Sequence, residues 1–171
     1  ICQGFLTLPI QLLQMGIANY KGAKRRFEYV HKSENFVVID DYAHHPEELN
    51  AIIGSVRTLY PNQIITGIFQ PHLYSRTQDF AQEFANSLSK LDHIWLMDIY
   101  PAREKPIPGI TSEWLLNMIS NPNKTLVNPQ SALQKIETEK PNILLILGAG
   151  DIDRIVQPIA NLYLKIDALI Q

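Results

Sequence analysis

The chain has 171 residues, 46% hydrophobic and 19% charged, and its 15 Lys+Arg against 17 Asp+Glu give a formal charge of -2. That length suits one ordinary domain with room for a fragment of a second, and such a domain buries roughly 70% of its unfolded surface without disulfide or metal staples. The charge balance argues against general nucleic-acid binding, which needs a strong basic excess, and no apolar run approaches the ~20 residues that cross a bilayer.

Leu12, Leu13, Ile17 and Tyr20 have helical spacing, and Gly22 is a stop signal. This stretch is expected to be the last helix of a preceding domain. Cys2 is alone, so no intrachain disulfide is expected, and the chain fits a reducing compartment. The opening ICQGFLTLPI lacks a basic n-region and a cleavage pattern, so no signal peptide is expected. The chain does not open on Met. The expectation is that its natural start is missing, or that the chain is a processed or cloned piece, with half of an active site in the missing part. A basic knot, KGAKRR, follows over Lys21 to Arg26.

FEYVH and NFVVIDDY read as two short strands joined by the polar turn KSEN. After Pro46, apolar residues at Leu49, Ile52, Ile53, Val56 and Leu59 predict an amphipathic helix with Glu47 and Glu48 in its first turn. IITGIF (64–69) is a continuous apolar run, as a strand buried on both faces requires. Residues 76–90 predict a helix, with Ser75 as its N-cap, and HIWLMDIY (93–100) predicts the next buried strand. A proline-rich loop, PAREKPIPG, is followed by a short helix SEWLLNMI, a short strand TLV and a short helix SALQKIE. NILLILGAG is a strongly apolar strand ending in glycines, and 151–168 predicts a final helix. Apolar strands alternating with helices indicate an α/β, mostly parallel, Rossmann-like sheet with helices on both faces.

In such folds ligands bind beyond the carboxyl ends of the strands. Four unusual clusters follow predicted strands: Asp40-Asp41-Tyr42-Ala43-His44-His45-Pro46, Gln70-Pro71-His72, Tyr100-Pro101-Ala102-Arg103 and Gly148-Ala149-Gly150-Asp151. The first is open to three readings: metal ligands of a hydrolase, with His72 in support; hydrogen-bonding groups for a polar substrate and a nucleotide; or a solvated turn whose Asp caps a helix. Arg76 and Arg103 would repel a cation. Arg76 at a helix start breaks the dipole rule, which hints at a carboxylate or phosphate partner. The glycine cluster is not GxGxxG, and no GxxxxGK[ST] occurs in the chain, so it reads as a strand-to-helix turn.

Taken in order, GAKRRFE (22–28), DDYAHHP (40–46), FQPH (69–72), SRT (75–77), DIYPARE (98–104), PIPG (106–109) and GAGD (148–151) resemble the C-terminal domain of the Mur ligases. The FQPH segment favours the alanine-adding branch over relatives that add other amino acids or recycled peptides. The resemblance implies three domains: one for the UDP-sugar, one with the ATP phosphate loop and most magnesium ligands, and a third that closes over ATP and admits the amino acid. Residues 1–22 would end the central domain, and 23–171 would be the C-terminal domain. The implied chemistry is ATP-dependent joining of L-alanine to UDP-N-acetylmuramate through an acyl phosphate, with Mg2+, in the cytoplasm. The implied partners are these substrates and the protein's own N-terminal and central domains, with no nucleic acid and no membrane insertion. By motif position, Arg26 and Asp41 fall at the nucleotide. Tyr42, His44 and Arg76 fall at the amino acid, with His45 and His72 as second choices. Many relatives have Arg where this chain has Leu73, so Arg76 is expected to act with fewer charged partners, or with Arg103. A stand-alone nucleotide-binding module is the further alternative.

Overall fold

The computed structural model describes residues 23–170. The expected first helix with its stop at Gly22, Cys2, and the assignment of 1–22 lie outside the described residues. Six strands form one sheet: β1 (Glu28–Lys32), β2 (Val37–Asp41), β3 (Ile65–Phe69), β4 (His93–Leu96), β5 (Lys124–Leu126) and β6 (Ile143–Leu147). The helices are α1 (Pro46–Leu59), α2 (Tyr74–Asp79), α3 (Ala81–Leu88), α4 (Ser112–Met118), α5 (Pro129–Glu139) and α6 (Asp153–Ala168). The strand order is β1-β2-β6-β3-β4-β5. Only β1 runs antiparallel, to β2, so the sheet is mostly parallel as expected.

The apolar runs explain the layers. All five residues of β2, β3 and β6 are buried. Successive side chains point to opposite faces, so Ile39, Ile65, Phe69 and Leu145 pack with α1, α3 and α4. Val38, Ile68, Trp95 and Ile146 pack with α5 and α6 on the other face. Each buried Ile or Leu contributes roughly 1.5–3 kcal/mol of burial. This double-sided burial fixes the register, because a slip by one residue would place Asp40 and Asp41 wrongly on the faces.

Several local expectations change: the strand predicted over 93–100 ends at Leu96, and two further changes shape the site. The predicted 76–90 helix is two helices that meet at Phe80, whose amide still donates to Arg76 O (3.1 Å). Phe80 packs against the first core and the His45 ring, with centroids 4.7 Å apart. Ser75 is not the N-cap of α2: that position is Leu73, held at φ +73°.

From β2 to β5 the chain moves steadily outward with its helices on one face, then returns to β6 behind α5 on the other. The reversal puts the topological switch between β6 and β3, where such sheets usually open a crevice. Here Gln70 fills it. Its Nε2 donates to Asp151 Oδ1 (2.8 Å), and its Oε1 accepts from Ile152 N (2.9 Å). Gly148 (φ +141°) allows the close approach, since a Cβ there would sit 2.8 Å from Gln70 O. The glycine cluster is a packed turn, and the accessible chemistry lies beside it, at the end of β2.

Candidate functional site

Four loops leave the carboxyl ends of β2, β3, β4 and β6, and backbone hydrogen bonds lock them together. Gly148 N donates to Asp41 O (3.2 Å), Leu73 N to Tyr100 O (2.9 Å) and Tyr100 N to Pro71 O (2.8 Å). Tyr42 N donates to Arg25 O (2.8 Å), which brings the basic segment to the same rim.

The two aspartates are structural in different ways. Asp41 is buried, and both carboxylate oxygens accept backbone amides: Oδ2 from Phe27 (2.7 Å) and Oδ1 from Ala43 (2.9 Å). It therefore shapes the loops on both sides of β2. Asp40 is buried beneath Arg25, whose Nε donates to Oδ2 (3.1 Å) and whose Nη2 donates to Gly148 O (2.5 Å). The other oxygen, Oδ1, is buried without a partner among the described residues. Burial outweighs the Arg25 charge and pushes Asp40 up to about 6.

Arg26, unlike Arg25, is open to solvent, with 56% of its side chain exposed. Its guanidinium lies 5.7 Å from the Tyr42 ring centroid and 3.9 Å from Glu48. Tyr42 in turn meets His44 edge-on at 5.2 Å. His44 Nδ1 lies 3.0 Å from Tyr42 O and 3.2 Å from Glu48 Oε2. Glu48 also accepts the amides of His44 (2.9 Å) and His45 (3.1 Å). Burial pushes Glu48 up, but these two amides, the His44 ring and Arg26 together hold it below the ordinary carboxylate value.

Across the gap, the His72 ring lies 6.1 Å from His44 and stacks on Tyr100 at 5.5 Å. Arg76 Nη1 is 3.4 Å from His72 Nδ1. Burial, then the charges of Arg76 and His44, lower the basicity of His72 against the opposing pull of Glu104. Arg76 makes no ion pair among the described residues. Glu104, from the proline-rich loop, accepts both the amide and the hydroxyl of Ser75, 3.0 and 2.5 Å away. It supplies the negative charge that the first turn of α2 lacks. Those two bonds, hydroxyl first, hold Glu104 below its ordinary value.

The structure thus brings Arg26, Tyr42, His44, His72 and Arg76 into one row, with Asp41 beneath it. His45 stands apart, its ring packed on Phe80. Arg103 is exposed on its loop. Arg25, Glu48, Tyr100 and Glu104 also contribute, although the sequence gave none of them a site role: Tyr100 and Glu104 stood in the loop cluster and motif after the fourth strand, Arg25 in the basic knot, and Glu48 in a helix's first turn.

This rim belongs to a described fold family. Residues 25–150 match the family "Mur ligase, glutamate ligase domain". The chain belongs to the Mur ligase family. The chain is 58% identical over 153 residues to a UDP-N-acetylmuramate–L-alanine ligase of Porphyromonas gingivalis, covering 89% of the chain and 34% of the relative. A relative of the same name in Christiangramia forsetii is 50% identical over 147 residues, covering 86% of the chain and 32% of the relative. The crystal structure of UDP-N-acetylmuramate-alanine ligase from Thermotoga maritima shares the fold, with a TM-score of 0.71 at 22% identity over 94% of this chain and 34% of that one. The chain therefore spans about a third of the length of the Mur ligases it matches.

The residues do not fit a metal centre. Both oxygens of Asp41 are engaged by amides, Asp40 is paired with Arg25, and His72 faces Arg76. Among the described residues no three His, Cys, Asp or Glu side chains converge to hold a metal ion. No described helix is long and apolar enough to cross a membrane.

Proposed function

We propose that this chain is the C-terminal, amino-acid-admitting domain of a cytoplasmic ATP-dependent ligase that joins L-alanine to UDP-N-acetylmuramate. In this reading residues 1–22 end the central domain and 23–171 form the C-terminal one. The observation that carries it is the 58% identity to the Porphyromonas gingivalis alanine ligase, which spans every rim loop. The muramoyl carboxylate attacks the γ-phosphate of ATP and becomes an acyl phosphate. The amine of L-alanine then displaces phosphate. Positioning and charge neutralisation supply most of the acceleration in such transfers. Mg2+ would neutralise phosphate charge when bound, with most of its ligands supplied by the central domain.

Within this chain, Arg26 is the exposed cation that meets the nucleotide when the domains close. Asp41 is a positioning residue that sets the loops carrying Arg26 and Tyr42. Arg76, with no carboxylate of its own among the described residues, takes the alanine carboxylate beside His72. Tyr42 and His44 line the amine side, and His45 anchors α1 beneath them. A guanidinium gives a paired, charge-assisted grip on a carboxylate, which resolves the dipole conflict at α2. With Leu73 in place of the Arg of many relatives, Arg76 carries that grip largely alone.

The test is an assay of the full-length protein with UDP-N-acetylmuramate, ATP and a panel of amino acids. The proposal expects phosphate release that needs both the nucleotide sugar and L-alanine. Turnover independent of L-alanine, or preference for another amino acid, contradicts it.

A further inference from the structure

The two rim histidines are set up as chemical opposites. His44 Nδ1 faces only acceptors, the Tyr42 carbonyl at 3.0 Å and the Glu48 carboxylate at 3.2 Å. It must therefore carry a hydrogen, which leaves Nε2 as the lone-pair nitrogen of the neutral ring. His72 Nδ1 faces Arg76 Nη1 at 3.4 Å, a group that can only donate. That nitrogen is therefore the acceptor, and Nε2 of His72 carries the hydrogen. A base backed by a carboxylate stands 6.1 Å, ring to ring, from a donor backed by a guanidinium. Paired titratable groups in opposed environments separate basic from acidic roles.

An α-amino acid at neutral pH presents an ammonium and a carboxylate, which matches this polarity. Its amine attacks an acyl phosphate only after losing a proton. We propose that His44 Nε2 accepts that proton and that Glu48 is the positioning residue that holds His44 as the base. The inference deepens the ligase reading and rests on it. One ammonium proton passes to Nε2, and the freed lone pair forms the N–C bond. The C–O bond to phosphorus's oxygen breaks, and phosphate leaves with that electron pair. The second surplus proton on nitrogen goes to the departing phosphate, and the imidazolium returns its proton to water. The charged and titratable groups around His44 are Glu48 with Arg26 behind it, His72 with Arg76 behind it, and Tyr42.

The experiment uses the full-length protein and two nucleophiles. L-Alanine needs deprotonation, whereas hydroxylamine is already unprotonated at neutral pH and traps the acyl phosphate as a hydroxamate. For His44→Ala, kcat/KM for L-alanine is expected to fall about 100-fold further than that for hydroxylamine, the usual size of general-base help. For Glu48→Gln, the acid limb of the L-alanine kcat/KM profile is expected to move down by about one pH unit, because the imidazolium loses its counter-charge. Equal losses with both nucleophiles, or an unmoved acid limb, overturn the proposal. A wild-type protein that forms no hydroxamate from UDP-N-acetylmuramate and ATP removes the ligase reading itself.

Discussion

Among the described residues the molecule holds two histidine–carboxylate pairs, and they differ in their surroundings. His31 on β1 meets Asp167 in the last turn of α6 at 2.5 Å, with 7% and 12% of the side chains exposed. The second oxygen of Asp167 accepts from Ser33 Oγ (3.1 Å), and the His31 ring stacks on Tyr163 at 5.8 Å. This pair is sealed, and it clamps the end of α6 to the antiparallel edge of the sheet. His44 and Glu48 stand beyond the carboxyl end of β2, 23% and 35% exposed, with Arg26 3.9 Å from Glu48 and no ion pair on nearby Arg76 among the described residues. The chemistry of a His–carboxylate pair therefore does not mark a site. Its place at the carboxyl ends of parallel strands, beside Arg26 and Arg76, is what supports the proposed function.

Backbone strain follows the same division. Arg25, Phe27, Leu73 and Ala102 hold positive φ on the rim loops, whereas Asn62 and Lys140 hold it in helix-to-strand turns at the far end. Lys140 is an ordinary left-handed helix cap. Leu73 (φ +73°, ψ +135°) occupies a region that Leu disfavours, held there by Tyr100 O and by the two bonds its own carbonyl accepts from Thr77.

The sharpest way to break the comparison is His31→Ala, which strands a buried carboxylate. It should cost about 3–5 kcal/mol, read as lost hydrogen-exchange protection of β1 and β2 amides in the full-length protein. The KM for alanine should not change. A rise in that KM would mean that the sealed pair reaches the site.

Asp40 gives the next effect. Its folded carboxyl binds a proton more tightly than an ordinary one, at about 6 against 3.8. Its contribution is therefore fully present below pH 3.8 and lost as pH rises through about 6. The difference in β2 protection between wild type and Asp40→Asn should change by about 3 kcal/mol across that window. A pH-independent difference contradicts the account.

Arg76→Ala should raise the KM for alanine about 30-fold, the worth of a charge-assisted bond of about 2 kcal/mol, while the KM for ATP changes little. An unmoved alanine KM removes Arg76 from the site. The smallest effect is Leu73→Gly, which should raise local protection of α2 by about 1 kcal/mol through relief of positive φ. Unchanged or reduced protection would show that the turn is not strained.

What the sequence revealed tracks the range of the forces involved. VVID, ITGIF and ILLIL declare buried parallel strands because a fully apolar run suits a sheet covered on both faces. The resemblance added candidate roles for Arg26, Asp41 and the rim histidines, and the fold gathers most of them into one row. The rest depends on contacts far apart in the chain. Arg25 sits in the basic knot KGAKRR with nothing local to set it apart, but its guanidinium partners are 15 and 123 residues away. Ser75 read as an N-cap, but Glu104, 29 residues on, binds it. His31 gave no signal, because Asp167 lies 136 residues away.

On the proposed function, this rim holds an amino acid by its two charged ends. The direct measurement is a crystal structure of the full-length protein with UDP-N-acetylmuramate, a non-hydrolysable ATP analogue and L-alanine. The account predicts the alanine carboxylate on Arg76 and its nitrogen within hydrogen-bond reach of His44 Nε2. Alanine seated away from both, with the His44–His72 gap filled by nucleotide or left to water, would contradict it.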